Sequence, residues 1–385
     1  MSRKSKREYL KELQKRYSGA KKKKKQAILN EAVQTTGYNR KYIIRFFNSS
    51  FKYRAAPKRK GPKTKYTAHF AAILEKVWLA CNRPCSDILK ALLPAWLPFL
   101  KKSISIPPHI ELLLLSVSTA TIERKLRTAR PKYAPKGIAT TRSGSFLREN
   151  IPIQTSSWNQ SVPGHLEVDT VAHCGNTLAG DFIYTLDVVD IASGWNALAA
   201  IWNKSESAVK AAVEHIEAEL PFPILGWDSD NGSELLNRLM YKYFSDRPKP
   251  VIFTRCRPYK KNDQAHVEQK NWSRVRQLLG YIRLDKPELL PLINNLFSDW
   301  CLLNNFFMPS FKLAQKFHLG DNGKTKRVYA PLLTPYQRLL QHRDISPQAK
   351  LFLRSVHDST DPVMLKRRID AQVSRILRIA KLPYL

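Results

Sequence analysis

Three acidic residues, Asp169, Asp230 and Glu268, occupy positions that their local sequence does not explain structurally. Asp169 sits inside the alternating run Leu166-Glu167-Val168-Asp169-Thr170-Val171-Ala172-His173, between apolar neighbours, so partial burial is expected. Asp230 follows the short apolar run Ile224-Leu225-Gly226-Trp227, at a sharp Asn231-Gly232 turn. Glu268, at about 100° per residue, falls within the stripe of Ala265, Trp272, Val275 and Leu279, the helix face expected to pack on a sheet. An unpaired carboxylate there costs on the order of several kcal/mol, and a bound cation removes the penalty. Three converging carboxylates suit Mg²⁺, a hard ion that takes few protein oxygens and leaves positions for phosphate and water. Other acids compete for the role. Glu167 shares a strand face with Asp169, Asp228 can point the same way as Asp230, Asp187 and Asp190 lie near a hairpin turn, and Asp263 suits a helix N-cap. His173 and His266 read as neighbours rather than ligands. Lys270 and Arg274 are four apart on a stripe directed away from the sheet, and Lys260 and Lys261 precede that helix. Phosphate contact is the functional reading of these four, a solvated helix face the plain one.

The elements that must position these groups follow from periodicity. Strands are expected at 166–173, 182–190 and 195–202, with Ala192-Ser193-Gly194 as a turn, giving an antiparallel meander. An amphipathic helix runs from Ser205 to Leu220 and is stopped by Pro221 and Pro223. A buried-type strand at 224–227 delivers Asp228-Ser229-Asp230-Asn231-Gly232, a helix follows from Ser233 to about Phe244, and a fifth strand spans 251–256. The last helix opens at Asn262-Asp263 and runs to about Leu279. The order βββαβαβα implies an α/β domain, a mixed five-stranded sheet with helices packed on it.

The segments Pro163-Gly164-His165-Leu166-Glu167-Val168-Asp169-Thr170-Val171-Ala172-His173-Cys174-Gly175, Asp228-Ser229-Asp230-Asn231-Gly232-Ser233-Glu234 and Arg257-Pro258-Tyr259-Lys260-Lys261-Asn262-Asp263, continuing through His266-Val267-Glu268-Gln269-Lys270-Asn271-Trp272, together resemble bacterial insertion-sequence transposases. The resemblance is to members with a retroviral-integrase-type catalytic core and a DDE motif. It is dense over about 150–285 and thinner elsewhere. It implies a ribonuclease H-like fold in which Asp169, Asp230 and Glu268 bind two Mg²⁺ ions, with Mn²⁺ an acceptable substitute. The 37 residues between Asp230 and Glu268 slightly exceed the retroviral spacing, a difference that a loop absorbs. In the implied chemistry a water or a DNA 3′-hydroxyl, its pKa lowered by one ion, attacks phosphorus in line while the second ion stabilises the leaving oxygen. The same centre can cut DNA at an element's end and join the freed 3′-hydroxyl to a target strand. Double-stranded DNA, as element terminal repeats and target, is the implied partner. Acting on two ends implies a homodimer or larger assembly. A non-catalytic DNA-binding regulator that kept the fold is the alternative, and a structure-specific nuclease a third.

The flanking regions carry the charge. The chain has 65 Lys and Arg against 31 Asp and Glu, a net charge of +34, and such an excess calls for a polyanion. Residues 161–230 nevertheless hold 11 acids and only 2 bases, an acidic centre that would repel a nucleic-acid backbone unless it held cations. Before it, Ala27, Ile28, Ala32 and Val33 at helical spacing, a break at Thr36-Gly37-Tyr38, and a second helix from Asn39 bearing Arg40, Lys41 and Arg45 form a helix-turn-helix pattern. The five lysines at 21–25 read as a solvated helix end or arm. Ser118 is an N-cap for a helix with Arg124, Lys125, Arg127 and Arg130, the recognition helix of a second such module. The expected division is a basic arm and first helix-turn-helix at 1–56, a linker at 57–66, a second helical DNA-binding block at 67–130 and a linker at 131–160. An integrase-type core at 161–305 and a basic C-terminal region at 306–385 complete it. That last region includes Lys324-Thr325-Lys326-Arg327 and a basic helix at 362–380 suited to DNA or protomer contact.

With 43% apolar residues a wholly disordered chain is excluded, and no apolar run reaches membrane-span length. Five cysteines, with Cys81 and Cys85 lacking a second ligand pair, fit unliganded thiols in a reducing compartment. A basic N-terminus with no apolar signal core adds the expectation of a cytoplasmic, nucleoid-associated bacterial protein.

Overall fold

A computed structural model describes residues 1–49, 65–133, 161–229, 234–255, 267, 270–319 and 324–380. The chain divides into two compact units, Met1–Lys65 and Tyr66–Leu385.

The first unit is a three-helix cluster, α1 (Arg3–Ser18), α2 (Lys22–Thr36) and α3 (Arg40–Asn48). Leu10, Leu13, Ile28, Leu29, Ala32, Ile43 and Phe47 fill its core. Gly37 ends α2 in the left-handed region, with φ +66°, where a side chain would be strained. The Asn39 side chain then accepts from the Lys41 N–H to open α3. The helix–Gly turn–helix expected at 27–47 is present, with α1 added in front of it.

In the second unit α4 (Ala68–Ala80), α5 (Ser86–Leu100), α6 (Pro108–Ser116) and α7 (Thr119–Leu126) precede the sheet. Thr67 caps α4 and Ser118 caps α7, each side chain accepting the N–H three residues on. The strands are β1 (His165–Ala172), β2 (Ile183–Asp190), β3 (Asn196–Trp202), β4 (Gly226–Ser229) and β5 (Ile252–Arg255). Their spatial order is β3-β2-β1-β4-β5. The β1–β2 and β2–β3 pairs are antiparallel, the β1–β4 and β4–β5 pairs parallel. This is the ribonuclease H-like arrangement, a mixed sheet in which helix α8 (Glu206–Glu219) makes the crossover that a parallel pair requires. The helix expected from Ser233 begins at Arg238 instead, because Asn237 supplies the cap, and α9 spans Arg238–Ser245. Gly164 starts the sheet: its φ is +114° and a Cβ there would meet the Pro223 carbonyl at 2.4 Å. Its N–H donates to Asp190 and its carbonyl accepts from Leu225 and Gly226, tying the start of β1 to β2 and β4.

After β5, α10 is wound as a π-helix over Asn271–Arg276 and continues as α-helix over Gln277–Leu279. α11 (Leu289–Phe307) packs along β3. Two of its asparagines serve the backbone of this edge strand. Asn294 exchanges both hydrogen bonds with Ala200, and Asn305 does so with Asn196. A hairpin of β6 (Leu313–Leu319) and β7 (Lys324–Tyr329) forms its own two-stranded sheet. Helices α12 (Pro335–Gln341), α13 (Pro347–Ser359) and α14 (Pro362–Ile379) end the described chain.

The block expected at 67–130 is not a free-standing module. One apolar core runs from Phe70 through Trp96 and the sheet to Ile376, and the buried Trp96 indole donates to the Phe307 carbonyl at 3.0 Å. The linker expected at 131–160 lies, from residue 134 on, outside the described residues.

Candidate active site

Strand alternation and pairing put a row of acids on one face of the sheet. Glu167 and Asp169 alternate onto the same side of β1. Asp187 stands directly opposite Asp169 on β2, and Asp228 opposite Glu167 on β4. Of the three candidate ligands, Asp169 is described and half-buried, while Asp230 and Glu268 lie outside the described residues. Their covalent neighbours are described. Ser229, which precedes Asp230, pairs with Val168, which precedes Asp169. The N–H of Val267, which precedes Glu268, donates to Glu167 Oε2 at 3.0 Å. Asn271, three residues beyond Glu268, donates from Nδ2 to Asp169 Oδ2 at 2.6 Å, and Asp169 Oδ1 accepts from the Thr170 N–H at 2.7 Å. The chain on either side of the candidate set therefore converges on the middle of β1. A half-buried carboxylate held by neutral N–H donors is a hard oxygen donor, which suits a divalent ion such as Mg²⁺. Lys260, Lys261, Asp263 and His266 also lie outside the described residues.

The competing acids have structural employment. Asp190 accepts from the Gly164 and Ser193 N–H groups at 2.8 and 2.7 Å and from the Ser193 hydroxyl, which shapes the β2–β3 turn. Asp228 is buried and accepts from Thr254 Oγ1 at 2.7 Å. Glu167 is buried and anchors Val267. Asp187 is fully buried. Desolvation raises its pKa to about 7, the Asn196 amide opposes that, Asp169 adds to it, and Lys270 and Arg274 oppose it. His173 is buried against Thr185 Oγ1 at 2.8 Å; burial, then the Arg276 charge, lowers its pKa to about 3, so it is neutral.

The helix face expected for Lys270 and Arg274 needs correction. Arg274 is 9% exposed and buried, whereas Trp272, expected on the sheet face, is 47% exposed. The cause is the π turn over Asn271–Arg276, whose wider winding shifts side chains away from the angles of an α-helix. Arg274 thus lies under the sheet with Asp187 as a charge neighbour, its backbone carbonyl accepting from the Trp300 indole at 2.7 Å. Burial, with Arg274 beside it, pushes the Lys270 ammonium well below its ordinary value. The residue that sequence reading passed over is Asn271, a neutral amide three positions after Glu268 in the sequence.

Of the other basic candidates, Lys41 and Arg45 are exposed on α3, and Arg40 donates to Asn30. Arg124 and Arg127 are exposed at the end of α7 and just beyond it. Lys125 is half-buried and donates to the Tyr66 carbonyl at 2.5 Å, a bond that ties α7 to the start of the unit. Among the described residues no helix is long and apolar enough to cross a membrane.

No protein-family model matches the chain. Solved structures similar to it include the catalytic core domain of BIV integrase, 15% identical with a TM-score of 0.29, covering 45% of this chain and 91% of that one. Another is the HTLV-2 integrase catalytic core domain in complex with magnesium, 16% identical with a TM-score of 0.28, covering 43% and 94%. A curated relative, the uncharacterized protein y4rM of Sinorhizobium fredii (strain NBRC 101917 / NGR234), is 36% identical over 328 residues, which is 84% of this chain and 91% of the relative. Identity at that level over most of both chains places this protein in one family with y4rM.

Proposed function

We propose that the chain is a DNA transposase of the DDE type, which binds the ends of a mobile element and performs metal-dependent cleavage and strand transfer. The observation that carries this reading is the convergence of Asp169, Ser229, Val267 and Asn271 on the centre of β1, in a ribonuclease H-like sheet. Asp169, Asp230 and Glu268 are the proposed ligands. Two bound Mg²⁺ ions would supply nucleophile activation and leaving-group stabilisation at phosphorus. Asn271 holds Asp169 in one orientation, and Glu167 fixes the entry of the Glu268 segment through Val267. Arg40, Lys41 and Arg45 on α3 and Arg124 and Arg127 at the end of α7 are the proposed phosphate and groove contacts. A pair of element ends calls for two or more copies on DNA.

The test uses a plasmid carrying the gene within its native flanking DNA, purified protein and Mg²⁺, with every new DNA end mapped. Wild type is expected to cut at discrete boundaries. Asp230→Asn and Asp169→Asn are expected to lose at least about a thousandfold in rate, because each removes a ligand charge from phosphoryl-transfer chemistry. Boundary binding without cutting by any of the proteins would replace the enzyme with a DNA-binding regulator. Cutting of branched DNA regardless of end sequence would make it a structure-specific nuclease.

A further inference from the structure

The hairpin β6–β7 has no role in the site described above. Among the described residues its strands pair only with each other, and a lone two-stranded ribbon is marginally stable in water. Its composition is unbalanced: residues 312–329 contain Lys312, Lys316, Lys324, Lys326 and Arg327 against Asp321 alone. Lys326 and Arg327, adjacent on β7, are both exposed. Between the charges it carries large exposed apolar groups, with Phe317 45% and Tyr329 48% exposed.

At its root lies a cavity of about 370 Å³, lined by Lys312, Pro331, Arg338 and His342 together with the β2–β3 turn, and none of the described lining residues is acidic. The two cations there are held by neutral oxygens. Lys312 donates to the Ala192 carbonyl, and Arg338 donates to the Ser193 carbonyl and Ser310 Oγ, both at 2.9 Å. Burial, then the Arg338 charge, pushes the Lys312 ammonium below its ordinary value. The neighbouring carboxylate, Asp190, already accepts from Gly164 and Ser193. Among the described residues Lys312, Lys326, Arg327 and Arg338 form no salt bridge.

We propose that the β6–β7 ribbon and the cation-lined cavity at its root form a binding surface for the phosphate backbone of duplex DNA. A chain of phosphates supplies repeated anions to Lys326 and Arg327, and to the Lys312–Arg338 pair, whose one neighbouring carboxylate among the described residues, Asp190, is already engaged by Gly164 and Ser193. The major groove admits a two-stranded ribbon, which gives the exposed rings a place against sugars and bases. A second copy of this ribbon would bring like charge against like charge, so it fits less well. The inference rests on the proposed DNA-handling reading for the identity of the polyanion, but not on catalysis.

The experiment uses full-length protein, a fluorescein-labelled duplex of about 30 base pairs and EDTA, with binding followed by anisotropy between about 50 and 200 mM salt. Lys326→Ala/Arg327→Ala, at exposed positions, is compared with wild type after circular dichroism melts establish that both fold. The double variant is expected to bind about tenfold more weakly and to lower the slope of log K against log salt by about 1.8, the value for two lost phosphate contacts. Equal affinity and slope would overturn the proposal while leaving wild-type cutting, measured separately with Mg²⁺, to judge the transposase reading. Unchanged DNA binding with loss of a dimer in light scattering would also overturn it, and would assign the ribbon to protomer contact.

Discussion

Asn271 joins a helix to a strand at one atom pair, Nδ2 to Asp169 Oδ2, and that bond fixes the carboxylate before any ligand arrives. If Asp169 binds Mg²⁺ as proposed, Asn271 is a group that orients a metal ligand, and removing such groups typically changes metal affinity by about 10- to 100-fold. Asn271→Ala is therefore expected to raise the Mg²⁺ concentration for half-maximal cutting by about that factor, with unfolding free energy changed by only about 1 kcal/mol. A loss of activity that saturating Mg²⁺ fails to restore would show that the residue does not act through Asp169. His173 makes a different prediction. Its folded pKa of about 3 lies below the unfolded value of about 6.5. Between those values the unfolded chain binds the extra proton, so stability from this group is present above pH 6.5 and is lost as pH falls toward 3. His173→Gln should flatten the dependence of urea-unfolding free energy on pH across that window by about 1.4 kcal/mol per unit. Equal slopes for the two proteins would mean that His173 is not buried neutral.

The edge strand β3 shows how an element depends on its neighbour. Its outward backbone groups at Asn196 and Ala200 bond to Asn305 and Asn294 of α11 rather than to another strand, which closes an edge that would otherwise template pairing. Asn305 and Asn196 are both buried. Asn305→Ala leaves a buried N–H and carbonyl without partners and is expected to cost about 2–4 kcal/mol in urea unfolding. Asn294→Ala, at a half-buried site, should cost less; the reverse order would remove the edge-closing role. These asparagines were not legible in the sequence, because nothing in a helical apolar stripe says which strand it meets. The strands themselves were legible, since β1 opens on the alternation Leu166-Glu167-Val168-Asp169 and β2 is a short run rich in β-branched residues, bounded by Gly180 and by the turn at Ser193-Gly194. The helix beyond β5 was read with the correct apolar anchors, Val275 and Leu279, but with Trp272 and Arg274 exchanged between inside and outside. A π turn carries no signature in hydrophobic spacing, so an angle of 100° per residue assigns such positions wrongly.

At the scale of the molecule, the sequence suggested modules in series, and the three-helix unit at the N-terminus is one of them. The second helical block is not, because its apolar faces are completed by elements more than a hundred residues later. Trp96, Leu93, Leu97 and Leu100 belong to the same core as Trp300, Phe307 and Ile369. Cα pairs of α5 with α14 and the Trp96 bond to Phe307 join the two ends of the unit. Local composition marks a Pro- and Lys-rich stretch as a boundary but cannot say which apolar stripes share a core. The consequence is testable by truncation. A chain beginning at residue 66 keeps every member of that core and is expected to unfold cooperatively, within about 1 kcal/mol of the corresponding full-length transition. A chain beginning at residue 161 uncovers the surfaces that α4–α7 bury. Each large side chain so exposed costs about 1.5–3 kcal/mol, and a few of them equal the whole stability of a domain. That shorter chain should aggregate or bind a hydrophobic dye without a cooperative transition. Cooperative unfolding by the 161–385 chain would instead make the helical block a dispensable appendage, and would return the DNA-binding role proposed for α7 to an independent module.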